Sequence, residues 1–225
     1  MSKPTRFHRA TPVWSEKLAG QMNILVSFHA CLKFIPARRG LLRVAAAQAY
    51  RVWANGDLIG RGPARTAHGF ARVDEWAVKH SGSEALELVI EVMGYGVPTF
   101  CTTAEPAFLC AELVFGRKVL AWTATRGGGF TAERRHEYMQ KAERFSYQRA
   151  FVEGYRMGRR GCSWQLRGYV PVRPLELARV QTKRGWLARG VVLPDLTVIK
   201  PRLSAMRGRS SSSARRASRA TQHRF

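Results

Sequence analysis

The sequence predicts an all-β sandwich, and three observations support that prediction. Apolar clusters are short, and they alternate with polar residues instead of following a helical period. Gly, Pro or Asn separates them about every ten residues, which is the strand spacing of a sandwich. The 225 residues are 45% hydrophobic and 10% aromatic, enough for a buried core. We therefore expect one domain of about 150 residues with extensions at both ends.

The clearest element is a hairpin at Asn55-Gly56. The residues from 50 to 54 alternate between apolar and polar or outward-facing positions before this pair. An Asn-Gly pair accepts the positive φ angles of a type I′ turn. The chain is therefore expected to reverse there, with Leu58 and Ile59 on the returning strand.

Further strands are predicted along the rest of the body. Their ranges are 85–92, 107–115 and 118–123, the last two joined through Gly116. Residues 133–144 are polar and are expected to form a short helix or a long loop. A final strand is predicted over 151–157.

Charge divides the chain into a body and extensions. The 38 Lys and Arg face 15 Asp and Glu, a formal net charge of +23. Residues 201–225 contain many arginines, no acid and few apolar side chains, so they are predicted to form a disordered Arg/Ser tail. Residues 1–20 are expected to be a flexible segment, 21–170 the sandwich, and 171–200 a linker or the start of a following β domain. The body is basic too, so nucleic acid is an alternative partner.

Several classes of protein are not expected. The cysteines, Cys31, Cys101, Cys110 and Cys162, are too widely spaced for a zinc site or a disulfide framework, and they are expected to be reduced. No run approaches the roughly 18 apolar residues that span a bilayer. The apolar stretch 22–35 lacks a signal-peptide cleavage site, so a cytoplasmic protein is expected. No metal or other cofactor is expected.

A set of segments resembles a known family. The resemblance lies in AYRVWANGDLIGRGPAR, VDEW, LELVIEVMGYG, EPAFLCAEL and ERFSYQRAFVEGYR, and it covers roughly residues 21–200. These segments are similar to the amino-terminal module of α-L-rhamnosidase-type glycoside hydrolases. The resemblance implies a jelly-roll, galactose-binding-like sandwich that is non-catalytic and serves either sugar binding or as a scaffold between domains. It also implies that the catalytic domain is absent, which suggests a truncated or frame-disrupted gene product.

Candidate sugar or interdomain contacts are Trp53, Asn55, Arg61 and Arg65. Two guanidiniums on the glycine-flanked loop 60–65 could donate paired hydrogen bonds to hydroxyls or carboxylates. The same arginines could anchor a missing domain, and Trp53 could be a core residue. The choice between these alternatives stays open at this point.

No catalytic residue is predicted. Asp74-Glu75 is an adjacent acid pair, but neighbours on a strand point to opposite faces and cannot flank one glycosidic bond. A capping or turn-stabilising role is expected for it instead. The two functions under consideration are thus a carbohydrate-associated module and a basic nucleic-acid-binding protein.

Overall fold

The computed structural model describes residues 4–33, 35, 39–80, 84–100, 105–144, 146–148, 150–156 and 164–191. These residues form two β-sheets that pack face to face, so the predicted all-β sandwich is confirmed. The strands are β1 (Val13–Trp14), β2 (Ile24–Leu32), β3 (Arg39–Ala46), β4 (Tyr50–Ala54), β5 (Asp57–Gly62), β6 (Phe70–Lys79), β7 (Leu86–Gly94), β8 (Leu109–Phe115), β9 (Lys118–Trp122), β10 (Thr131–Arg134), β11 (Pro174–Leu175), β12 (Ala178–Arg179) and β13 (Gly185–Ala188).

The two sheets share one core. The first has the strand order β12-β1-β8-β3-β6-β13, with β9 beside β8, and the second has the order β11-β10-β2-β7-β4-β5. The strand pairs are antiparallel except for β13, which runs parallel to β6. Alternate side chains, such as Phe28 of β2, Leu42 of β3 and Ile90 of β7, point between the sheets and are fully buried.

The predicted hairpin is confirmed. Strands β4 and β5 pair in antiparallel register and meet at Asn55 and Gly56, whose φ angles are 51° and 88°. Positive φ at both positions is what a type I′ turn requires, and Asn and Gly are the residues that adopt it most easily. Local sequence therefore fixes this reversal of the chain.

The later strands match the prediction in part. Strands β7, β8 and β9 lie where 85–92, 107–115 and 118–123 are predicted. Of residues 133–144, the first two end strand β10 and the rest form the long loop and not the helix, while residues 151–156 form no regular strand. Tyr155 makes only an isolated bridge with Tyr138. Both segments lie over the outer face of the second sheet, where their aromatic side chains pack with β2, β4 and β7.

The terminal segments also contribute to the sandwich. Residues 4–18, where a flexible segment is expected, include β1 and bury Trp14 at 4% exposure. Strands β11, β12 and β13 extend the edges of both sheets, so residues 174–188 pack on the same body. Residues 192–225, and with them the predicted tail, lie outside the described part of the chain.

The remaining expectations concern thiols and membranes. Cys31 is an exposed free thiol and Cys110 a buried one, while Cys101 and Cys162 lie outside the described residues. Across the described ranges, no helix has the length and hydrophobicity needed to cross a bilayer.

Candidate functional site

The turns after β3, β5 and β7 lie at one end of the sandwich. Each of these strands runs antiparallel to a neighbour, so its last residue pairs with the first residues of that neighbour at this end. They surround an open groove of about 720 Å³, which we call the end groove. A groove of this size is in the range of small-molecule sites. The side chains discussed below that line it are Gln48, Arg65, Thr66, Arg72, Phe100, Glu105, Glu153 and Arg184.

Gln48 places a buried hydrogen-bond donor at the end groove. The residue is 1% exposed, and its Oε1 accepts a hydrogen bond from the backbone N–H of Tyr95. That bond fixes the amide, so Nε2 is the end that remains to be satisfied. In the described part of the chain, Nε2 has no partner. A buried amide without a partner costs about 1 to 3 kcal/mol, so it needs an explanation.

Thr66 contributes a second such group, from the turn after β5. Its Oγ1 is buried and meets no hydrogen-bond partner among the described residues. A hydroxyl both donates and accepts. Two residues of one groove lining therefore each carry a buried polar atom with no partner among the described residues, which makes this groove the candidate site for a polar ligand.

The charges around the end groove are ordered by ion pairs. Glu105 pairs with Arg184, and Glu153 pairs with Arg51 of β4. Arg72 donates from Nε to the carbonyl oxygen of Arg65 at 3.3 Å and from Nη1 to that of Ala188 at 3.0 Å. The lining is therefore held in place by its own polar contacts.

Exposed aromatic rings stand beside the groove. Phe100 is 71% exposed and lines the groove, and Tyr147 is 59% exposed. Their rings meet edge to face at 5.9 Å, and the Arg144 guanidinium lies 4.9 Å from the Tyr147 ring centre. Exposed aromatic faces of this kind can pack on the apolar C–H surface of a sugar.

The structure separates the four candidates that sequence analysis predicts. Only Arg65 lines the end groove. Arg61 is exposed on β5, where it pairs with Arg51 of β4 in the sheet, and its side chain makes no hydrogen bond or ion pair within the described residues. Asn55 holds the hairpin turn, because its Oδ1 accepts from the backbone N–H of Glu87 at 2.9 Å.

Trp53 is a buried packing residue, the second of the two roles that the sequence analysis left open for it. It is 8% exposed and packs on the outer face of the second sheet with Val89 and Trp164. Its ring is covered by protein and does not present a face to a sugar. Trp164 donates its Nε1–H to the buried carboxylate of Glu91, so this cluster combines aromatic packing with a polar contact.

The adjacent acids behave as geometry predicts, but their role differs. Asp74 points into the sandwich, where it accepts hydrogen bonds from Tyr50 Oη and, at 3.0 Å, from Arg189 Nη1. Glu75 points outward and pairs with Arg43 at 2.9 Å. Burial raises the pKa of the Asp74 carboxyl above its ordinary value. Asp74 thus belongs to an internal polar network and not to a turn or cap.

Sequence analysis did not predict Gln48, Thr66 or the aromatic pair Phe100 and Tyr147 as site residues. The one available signal was Gln48 itself, a polar residue within the alanine-rich run AAAQA. Metal binding gains no support, because the described residues contain no group of three or more His, Cys, Asp and Glu that could hold an ion.

Comparison with known proteins places the fold. No protein-family model matches the sequence, and no curated protein does. A GH78 family rhamnosidase from Bacillus sp. GL1 superposes with a TM-score of 0.73 at 18% identity, over 84% of this chain and 20% of that one. An α-L-rhamnosidase from Aspergillus terreus gives 0.55 at 12% identity, over 77% and 21%. A lectin from Pleurotus ostreatus gives 0.51 at 11% identity, over 81% and 44%.

The jelly-roll or galactose-binding-like subtype stays a prediction, since these likenesses establish the fold only. The chain spans about one fifth of the length of the two rhamnosidases. It therefore has the β-sandwich fold found in one segment of α-L-rhamnosidases.

Proposed function

We propose that this chain is a non-catalytic carbohydrate-binding module and that the end groove holds the sugar. The observation that carries the proposal is a pair of buried atoms, Gln48 Nε2 and Thr66 Oγ1, which belong to two residues of the groove lining and have no hydrogen-bond partner among the described residues. Sugar hydroxyls both donate and accept hydrogen bonds, so they can satisfy the two groups together. The fold likeness to rhamnosidases and to a lectin supports the same class of ligand.

The carboxylates of the groove do not resemble a glycosidase pair. Glycoside hydrolysis generally needs two carboxyls, one that gives a proton and one that acts on the sugar or on water. Glu105 and Glu153 are each already held by an arginine, Arg184 and Arg51 respectively. This arrangement favours binding over catalysis.

Thr66→Val tests the proposal, because it replaces the hydroxyl by a methyl group of similar size. Removal of an unsatisfied buried hydroxyl should stabilise the ligand-free protein by about 1 kcal/mol. The same change should weaken or abolish the rise in unfolding temperature produced by whichever sugar binds in a panel that includes L-rhamnose. Thermal unfolding with and without each sugar measures both effects.

Thr125→Val is the matched control, because Thr125 is exposed and lies outside the lining of the groove. It should change neither the stability nor the sugar response. If no sugar stabilises the wild-type protein, or if Thr66→Val leaves the response intact, the end groove is not the sugar site.

An interdomain scaffold is a second candidate function, and one observation favours it. Leu166, Val170 and Val172 are 58%, 74% and 78% exposed on the segment that covers the outer face of the second sheet. Neighbouring exposed apolar side chains often mark a contact surface. A catalytic domain of the rhamnosidase type is the partner that the fold likeness suggests. Replacement of all three residues by Ser should remove hydrophobic-dye binding if this surface is accessible in the isolated protein.

A further inference from the structure

We infer that the ligand of the end groove is an acidic saccharide, one with a carboxylate on the sugar ring such as a uronic acid. The inference rests on the proposed function and names its class of ligand. It follows from the hydrogen-bonding capacity of Gln48 and from the balance of charge around the lining.

Gln48 can only donate to a ligand. Its acceptor atom, Oε1, is already engaged by the Tyr95 N–H, and Nε2 is the atom without a partner in the described residues. The ligand atom that meets Nε2 must therefore be an acceptor. A carboxylate oxygen accepts without donating, and a hydrogen bond to a charged acceptor is stronger than one to a neutral hydroxyl.

The charge of the lining favours an anion as well. The two carboxylates, Glu105 and Glu153, have arginines of their own as partners. Arg65 and Arg72 line the groove in addition. When the partners of the two carboxylates are included, four arginines and two glutamates lie in or beside the groove. A concave surface with an excess of one charge concentrates ligands of the opposite charge.

The shape favours a saccharide over a nucleic acid. Nucleic-acid affinity grows with the number of phosphates contacted along an extended basic surface. The end groove is instead a compact concavity at the loop end of a sandwich, with an exposed aromatic pair at Phe100 and Tyr147. Such a site fits a ring with one charged substituent better than a long polyanion.

The experiment compares D-galacturonate with D-galactose, which differ only in the carboxylate at carbon 6. Both are titrated into the full chain by NMR at fixed moderate salt. We expect galacturonate to bind about tenfold more tightly than galactose, the difference expected for one hydrogen bond to a charged group. Arg65→Ala should reduce that ratio.

Arg61→Ala is the control, because it removes the same charge from an exposed position outside the groove. It should leave the ratio unchanged. Gln48→Glu provides a second test: it retains the oxygen that holds the Tyr95 N–H and replaces the donor by an acceptor, so it should abolish the preference. If that variant fails to fold, the comparison of Arg65→Ala with Arg61→Ala decides.

Each outcome has one meaning. Equal binding of the two sugars overturns the acidic-saccharide inference and leaves the proposed function standing. Binding of neither, nor of D-glucuronate and L-rhamnose, overturns both. A DNA oligonucleotide that displaces galacturonate, with Arg61→Ala and Arg65→Ala equally impaired, would show that general surface charge and not the groove selects the anion.

Discussion

Glu112 of β8 holds the amino-terminal segment on the sandwich, and its replacement should release that segment. Its side chain is 0% exposed. One oxygen, Oε2, accepts from the backbone N–H of His8 at 2.9 Å, of Arg9 at 3.0 Å and of Ala10 at 3.4 Å. Oε1 lies 3.4 Å from Arg43 Nη1. Glu112→Leu keeps a similar volume and leaves these donors without their acceptor.

The loss should be about 3 to 5 kcal/mol, the cost of breaking a buried ion pair by removing one partner. For a protein of this size, 1 kcal/mol shifts the unfolding midpoint by roughly 2 to 4 °C, so we expect a fall of about 6 to 20 °C. Circular dichroism during heating measures it. Limited trypsin digestion provides a second readout, because cleavage after Arg6 and Arg9 should become faster.

Glu75→Leu is the control for this change. Glu75 pairs with the same arginine, Arg43, but its side chain is 45% exposed. An exposed pair contributes about 1 kcal/mol or less, so this variant should stay close to the wild type. If the two variants lose equal stability and are cleaved at equal rates, the Glu112 carboxylate does not anchor the amino-terminal segment.

Two further predictions concern the outer face of the second sheet. Trp53→Ala should cost about 3 to 5 kcal/mol by leaving a cavity, while sugar binding in the folded protein stays unchanged; a loss of sugar affinity at intact stability would return Trp53 to the site. Burial, and then the Arg135 charge, lower the pKa of His29 from 6.5 to about 4. The folded state therefore holds His29 neutral, and its contribution to stability is present above pH 6.5 and is lost as the pH falls from 6.5 towards 4. His29→Leu should lose less stability than the wild type across that interval in pH-dependent thermal unfolding; equal losses would exclude His29 as the titrating group.

Local patterns predicted the strands that local chemistry determines. Asn55-Gly56 specifies a turn through its own φ preferences, and the apolar run of β7 identifies a buried strand without knowledge of its neighbours. The terminal segments were different. The backbone N–H of His8 donates to Glu112, which lies 104 positions later in the sequence. No local pattern near residue 8 predicts an acceptor at that distance along the chain.

The same limit applies to the candidate site. Arg65 was predicted because its loop has an unusual composition. The role of Gln48 depends on the Tyr95 N–H, 47 positions away, and on the absence of a partner for Nε2 within the described residues. Similarly, the loop 135–144 is held by long-range contacts such as the Tyr138 hydroxyl donating to Asn23 Oδ1 at 2.7 Å, so its local sequence does not define its conformation.

Two contacts join the end groove to β13 and to the residue before it, Arg184. Arg184 pairs with Glu105, and Arg72 donates to the carbonyl oxygens of both Arg65 and Ala188. Ligand binding in the groove and local opening of β13 are therefore coupled in free energy. A ligand that orders the groove lowers the probability that β13 opens locally, and detachment of β13 lowers the affinity for the ligand by the same factor. Amide exchange of residues 185–188 would thus report groove occupancy from the edge strand that pairs with the groove-lining start of β6.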